Sequence, residues 1–147
     1  MKWFVRRSNG SSKFGSLETR QTDAGNRGDL MYVADANGDG KVDLMYGRVN
    51  SSFGVTWFFR PSTGSDFGTV HTWAGDAGDA GDLFRVGDTT GDGKVDLMYG
   101  RSLGMTSLTA TPDLTSVRWF GRSSLGNNFS SFSTWADDAG NEGDCFP

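Results

Sequence analysis

An internal repeat constrains this chain more than any other feature. Residues 28–48 read GDLMYVADANGDGKVDLMYGR and residues 81–101 read GDLFRVGDTTGDGKVDLMYGR, agreeing at 16 of 21 positions with a period of 53. A unit repeated this closely builds the same supersecondary element each time and buries its apolar surface against its own copies. The match extends upstream through the Asp-Ala-Gly triplets that begin at Asp23, Asp76 and Asp138, each followed by Gly-Asp at the same offset. Downstream, Trp-Phe pairs begin at Trp3, Trp57 and Trp119, and each leads through a Ser/Gly/Asn turn to a Phe: Phe14, Phe67 and Phe129. The step from the second unit to the third is 62 residues, because a Thr/Ser/Leu stretch around Pro112 (102–116) is inserted. Insertions of this kind belong in loops between strands.

Each unit predicts four short strands. The first is Leu30–Ala34, with Leu83–Gly87 as its copy. The second covers 42–47 and 95–100. The third holds the Trp-Phe pair, and the fourth follows the Phe and ends near Trp73 or Trp135. In the second strand Leu44 and Tyr46 face one side and Met45 the other, so both faces are apolar, as in a sheet sandwiched between neighbours. Four-stranded antiparallel units of about 50 residues stacked face to face describe the blades of a β-propeller. The expected fold is therefore all-β. A half blade occupies 1–27, complete blades occupy 28–80 and 81–143, and a further first strand starts at 144–147. Propellers close with about four to eight blades. Two and a half blades leave edges and a blade face open. Two solutions stand: the chain is a fragment of a larger propeller, or several copies close a ring as a homo-oligomer.

Composition supports strands and turns over helices: 22 of 147 residues are Gly, only 3 are Pro, and 13% are aromatic. A net charge of −4 argues against nucleic acid as a partner. No apolar run approaches the roughly 18 residues that span a bilayer. No secretory segment follows Met1. Asn-x-Ser sequons at Asn9, Asn50 and Asn128 point weakly to a secreted or extracellular protein. Cys145, the single cysteine, cannot form an internal disulfide and is expected to be an incidental thiol or an intermolecular link.

The acidic Gly-rich segments carry the clearest chemistry. In 35–43, oxygen donors fall at positions 1, 3, 5 and 9, namely Asp35, Asn37, Asp39 and Asp43, with the Lys41 carbonyl at position 7. In 88–96 the set is Asp88, Thr90, Asp92, the Lys94 carbonyl and Asp96. Gly40 and Gly93 stand at position 6, where such a loop turns sharply around its ion. Hard oxygen donors without His or Cys favour Ca²⁺. An EF-hand needs a Glu at position 12 and flanking helices; here position 12 is Tyr46 or Tyr99, and strands flank both loops. Thr90 is the weaker donor, so the second loop is expected to bind less tightly.

These loops, set between two apolar strands, resemble the FG-GAP (VCBS) repeats of integrin-α-like propellers. Phe14-Gly15 and Phe67-Gly68 fit that pattern and Phe129-Ser130 departs from it. The resemblance implies a propeller, commonly seven-bladed, with structural calcium. It says less about activity, because members include integrin ectodomains, fungal lectins and modules of secreted bacterial enzymes.

No enzyme is expected. No nucleophile elbow, phosphate loop or zinc motif occurs, and the single His71 lies on a strand. A carbohydrate-binding role would use Trp73 with Asp76 and Trp135 with Asp138, completed by Arg48 and Arg101. The alternative is that the Trp residues are packing core and the module binds a protein partner.

Overall fold

The computed structural model describes residues 1–10, 13–102 and 117–137. Ten strands and no helix occupy them: β1 Trp3–Ser8, β2 Phe14–Gln21, β3 Leu30–Ala34, β4 Asp43–Val49, β5 Val55–Arg60, β6 His71–Ala74, β7 Leu83–Gly87, β8 Asp96–Ser102, β9 Val117–Arg122 and β10 Ser133–Ala136. They form three antiparallel sheets, none closed: β1-β2, β3-β4-β5-β6 and β7-β8-β9-β10. No helix in the described residues is long and apolar enough to cross a membrane. The inserted segment 103–116, the third Asp-Ala-Gly with Asp138, and 144–147 with Cys145 lie outside the described residues.

The repeat is reproduced in register. Leu44 pairs with Arg60 and Val49 with Val55; in the next sheet Leu97 pairs with Arg122 and Ser102 with Val117. The last of these pairs closes directly across the insertion, so the added residues leave the ladder intact. The second strand starts one residue later and runs two further than its sequence suggests, because Arg48 and Val49 find partners in Thr56 and Val55. The fourth strand is shorter than expected. Phe67 is held instead by an isolated bridge to Ser62, and pairing resumes only at His71.

β4 is buried on both faces, as its composition predicts: Leu44, Met45 and Tyr46 are all core. Met45, Trp57, Phe59 and Trp73 from the first four-stranded sheet join Phe84, Leu97, Tyr99 and Phe129 from the next in one cluster. Leu44, Tyr46 and Ala24 form a second cluster with Trp3 and Phe67, on the side of the two-stranded sheet. The sheets therefore stack face to face. Gly47 belongs to this packing: a Cβ there would stand 2.9 Å from Val55 and 3.1 Å from the Trp57 ring. Gly100 meets Val117 and Trp119 in the same way, so the Gly after the Leu-Met-Tyr run is where the Trp lies down. The indole N–H of Trp57 donates to the Ala77 carbonyl, and that of Trp3 to Ala24, both at 2.9 Å. Each Trp thereby anchors the Asp-Ala-Gly segment that leads into the next sheet.

Candidate functional site

Both acidic loops wrap backbone amides around their first Asp. One Asp35 oxygen accepts the N–H groups of Gly38 (2.8 Å) and Asp39 (3.2 Å), and the other accepts Gly40 (2.8 Å). Asp88 receives Gly91, Asp92 and Gly93 in the same pattern. Gly40 and Gly93 hold φ of 79° and 82°, the left-handed turn that position 6 requires. An ionised carboxylate offers about four lone pairs. Three amides therefore leave each first Asp able to take a cation. Asn37 accepts the Asp39 N–H at 2.9 Å.

A cation already sits on position 5 of each loop. Lys41 Nζ lies 2.8 Å from Asp39, and Lys94 Nζ pairs with Asp92. The Lys41 hydrogen bond holds the Asp39 carboxyl below its usual range, and Lys94 does the same for Asp92. The ammonium stands in for positive charge at this position, and the all-oxygen donor set fits Ca²⁺. Among the described residues no three Asp, Glu, His or Cys side chains converge as a ready coordination sphere. In these loops carbonyl and amide oxygens would supply the remainder.

Asp43 and Asp96, at position 9, are fully buried. Asp43 accepts the N–H groups of Ala36 (3.2 Å) and Ser62 (2.7 Å). Burial pushes its carboxyl up, against these two hydrogen bonds, and the nearby Asp39 and Asp35 charges push the same way. A cation in the loop would relieve that cost. Asp96 differs. One of its oxygens accepts the Thr89 and Thr90 amides and the Thr89 hydroxyl, so both lone pairs of that oxygen are used; the other accepts only the Ser124 amide and keeps one lone pair. One oxygen of Asp96 is therefore less open to a cation than its counterpart in Asp43, a difference between the loops beyond Thr90.

The residues expected to bind a ligand divide. Trp73 is 5% exposed, stacked on Phe59 at 4.1 Å and met edge-on by Phe129 at 5.1 Å. It is core, not a platform, because the next sheet covers it. Trp135 is 43% exposed and lies over Gly121, with its indole N–H on Ser133. Arg48 and Arg101 do not project freely. Arg48 makes a two-pronged contact with Asp29 (3.0 and 2.8 Å), and Arg101 makes the same contact with Asp82 (3.1 and 2.9 Å) and also reaches Asp79. These are the Asp residues of the repeated Gly-Asp. The repeat revealed them, but no local pattern assigned them a partner 19 residues on. His71 is exposed on the outer strand and shares a hydrogen bond with Thr69.

Asp76 and Arg101 do share one cavity. With Asp79, Tyr99, Phe120, Arg122 and Phe132 they line a cavity of about 180 Å³ at the seam between the two four-stranded sheets. Arg101 lies over the Phe120 ring and Arg122 over Phe132. Arg122 also donates to the Asp76 carbonyl at 3.0 Å. The preceding seam repeats the frame, with Arg48 over Phe58 and Arg60 bonded to the Asp23 carbonyl. It has Asn26 in place of Asp79 and Val70 in place of Phe132. Phe120 and Phe132 were not singled out from sequence. Nothing local separates them from the chain's nine other Phe, 11 being the total.

Comparison with protein families, curated proteins and solved structures finds no match to this chain.

Proposed function

We propose that this chain is a calcium-stabilised β-propeller module of the FG-GAP (VCBS) type that binds carbohydrate at the seam between adjacent blades. The small cavity carries the ligand half of this reading: carboxylates and guanidinium groups surround aromatic walls, and Phe132 is exposed. Hydroxyl-rich rings are held by such mixed sites, with polar groups fixing orientation and an aromatic surface packing the C–H face. At about 180 Å³ the cavity suits one sugar residue more than a long chain. No catalytic step is assigned. Weak calcium loops suit an extracellular setting, where related oxygen-donor modules bind at about 10⁻⁴–10⁻³ M. Glycan-array binding in calcium, repeated with Phe132→Ala and Asp76→Ala, tests the reading. Sugar-specific signal lost in both folded variants supports it; a blank array, or signal indifferent to both, refutes it.

Closure follows from the same reading. β1 pairs only with β2 among the described residues, whereas its counterparts β5 and β9 also pair with β4 and β8. Beside its open edge lies a cavity of about 420 Å³ walled by Trp3, Phe4, Val33, Val42 and Phe67. The first two strands of a blade, supplied by further copies of the chain or by further repeats, would fill that space. Light scattering checks closure by copies, and a well-folded monomer rules it out. Calcium chelation should lower both melting temperature and assembly size. If neither changes, the loops are not staples. A protein-binding scaffold is the second reading, favoured if that apolar edge takes a protein strand while the array stays blank.

A further inference from the structure

The two acidic loops touch each other. The Val95 N–H donates to the Asp35 carbonyl at 2.9 Å, joining position 8 of the second loop to position 1 of the first. Ser124, 2% exposed, donates its hydroxyl to the Ala36 carbonyl at 2.6 Å and its N–H to Asp96 at 2.9 Å, so one residue grips both loops. The Lys94 side chain runs over Gly38, where an added Cβ would stand 3.1 Å from Lys94 Cγ.

The peptide unit between Lys94 and Val95 therefore faces two ways. Its carbonyl belongs to the donor set of the second loop, and its N–H is bonded to the first. When that carbonyl is engaged by a cation, the amide is polarised and its N–H becomes a stronger donor to Asp35. Ordering residue 35 in the first loop in turn fixes the acceptor that holds residues 94 and 95 in place. Whichever loop fills first removes part of the ordering cost of the other.

We infer that the two loops bind calcium with positive cooperativity, coupled through the Val95–Asp35 hydrogen bond and the Ser124 clamp. The inference rests on the calcium reading above. One hydrogen bond formed in advance is worth about five-fold in affinity. Ser124 is a positioning residue here, since it supplies no oxygen to either donor set. In a stack of such units the coupling passes from each loop to the next, as nearest-neighbour repeats transmit stability.

Calorimetric titration of calcium into the full chain decides the matter. The comparison uses Asp88→Asn/Asp92→Asn to silence the second loop, Asp35→Asn/Asp39→Asn to silence the first, and Ser124→Ala. Far-UV circular dichroism and Trp fluorescence check that each variant is folded. The expected result is two equivalents in the parent chain. Each silenced variant retains one equivalent, bound about five-fold more weakly than the same loop in the parent, and reciprocity makes the two losses equal. Ser124→Ala keeps both equivalents with reduced cooperativity. Should that variant fail to fold, the two silenced variants decide alone. Two equivalents whose affinities ignore each other overturn the coupling and leave the calcium reading intact. No calcium bound by the folded parent chain overturns both.

Discussion

The two-pronged contact between Arg48 and Asp29 offers the most direct test of how the first two strands of a unit are held together. Asp29 has a side chain only 5% exposed and accepts three hydrogen bonds: Arg48 Nε at 3.0 Å, Arg48 Nη2 at 2.8 Å and the Asn26 amide at 2.7 Å. A hydrogen bond to a charged group is worth about 1.5–3 kcal/mol when desolvated. Arg48 is 40% exposed, so solvent screening reduces its share. Asp29→Asn should therefore cost about 2–3 kcal/mol at neutral pH, or about 5–10 °C in melting temperature for a chain of this size. The pH dependence follows from the same contacts. Burial pushes the Asp29 carboxyl up, but the bonds from Arg48 and the Asn26 amide, with the Arg48 charge, outweigh it and leave the pKa lowered. A carboxylate lowered in the folded state binds fewer protons there than when unfolded. Its contribution is complete above the unfolded value of about 3.9 and fades as pH falls through the lower folded value. Urea unfolding followed by Trp fluorescence, in excess chelator so that calcium is not a variable, measures both effects. A double-mutant cycle with Arg48→Gln isolates the pair. A cost below about 0.5 kcal/mol, or an acid slope identical in parent and Asp29→Asn, would refute the reasoning.

Three further outcomes are expected. Gly47→Ala places a methyl group 2.9 Å from Val55 and 3.1 Å from the Trp57 ring, and should cost about 1–3 kcal/mol in thermal or urea unfolding; no loss would mean the Trp moves aside freely. Phe53 holds a φ of 65° while 74% exposed, so Phe53→Asn, which tolerates that region, should stabilise the fold by about 1 kcal/mol, and a lower melting temperature would show that the ring contributes packing. Thr89→Ala removes one of three donors crowded on one Asp96 oxygen and makes the second loop resemble the first, where Ala36 holds this position. Calorimetry should then find tighter calcium binding in the second loop, and unchanged affinity would show that this crowding does not limit it.

Much of the frame was legible in the residues alone. The period of 53, the apolar faces of the Leu-Met-Tyr run and the Gly-rich turns act within a few residues of one another, and local physics is what a sequence displays. The strands duly appear near their expected places, and the two loops adopt left-handed glycines at the expected position. What the residues did not display depends on partners far along the chain. Trp73 suits a core residue or a binding platform by its sequence context alone, and it is the cover from the next sheet that makes it core. Arg48 and Arg101 looked like ligand groups until Asp29 and Asp82 came within reach. Asp43 and Asp96 occupy the same place in the repeat, yet one oxygen of Asp96 takes three donors where the matching oxygen of Asp43 takes one, in part because Thr89 brings a hydroxyl where Ala36 brings none. The repeat determined that there would be two alike loops between strands. Only the stacking of the sheets decided that Val95 meets Asp35, because a contact between residues 60 apart is created by packing and by nothing local to either.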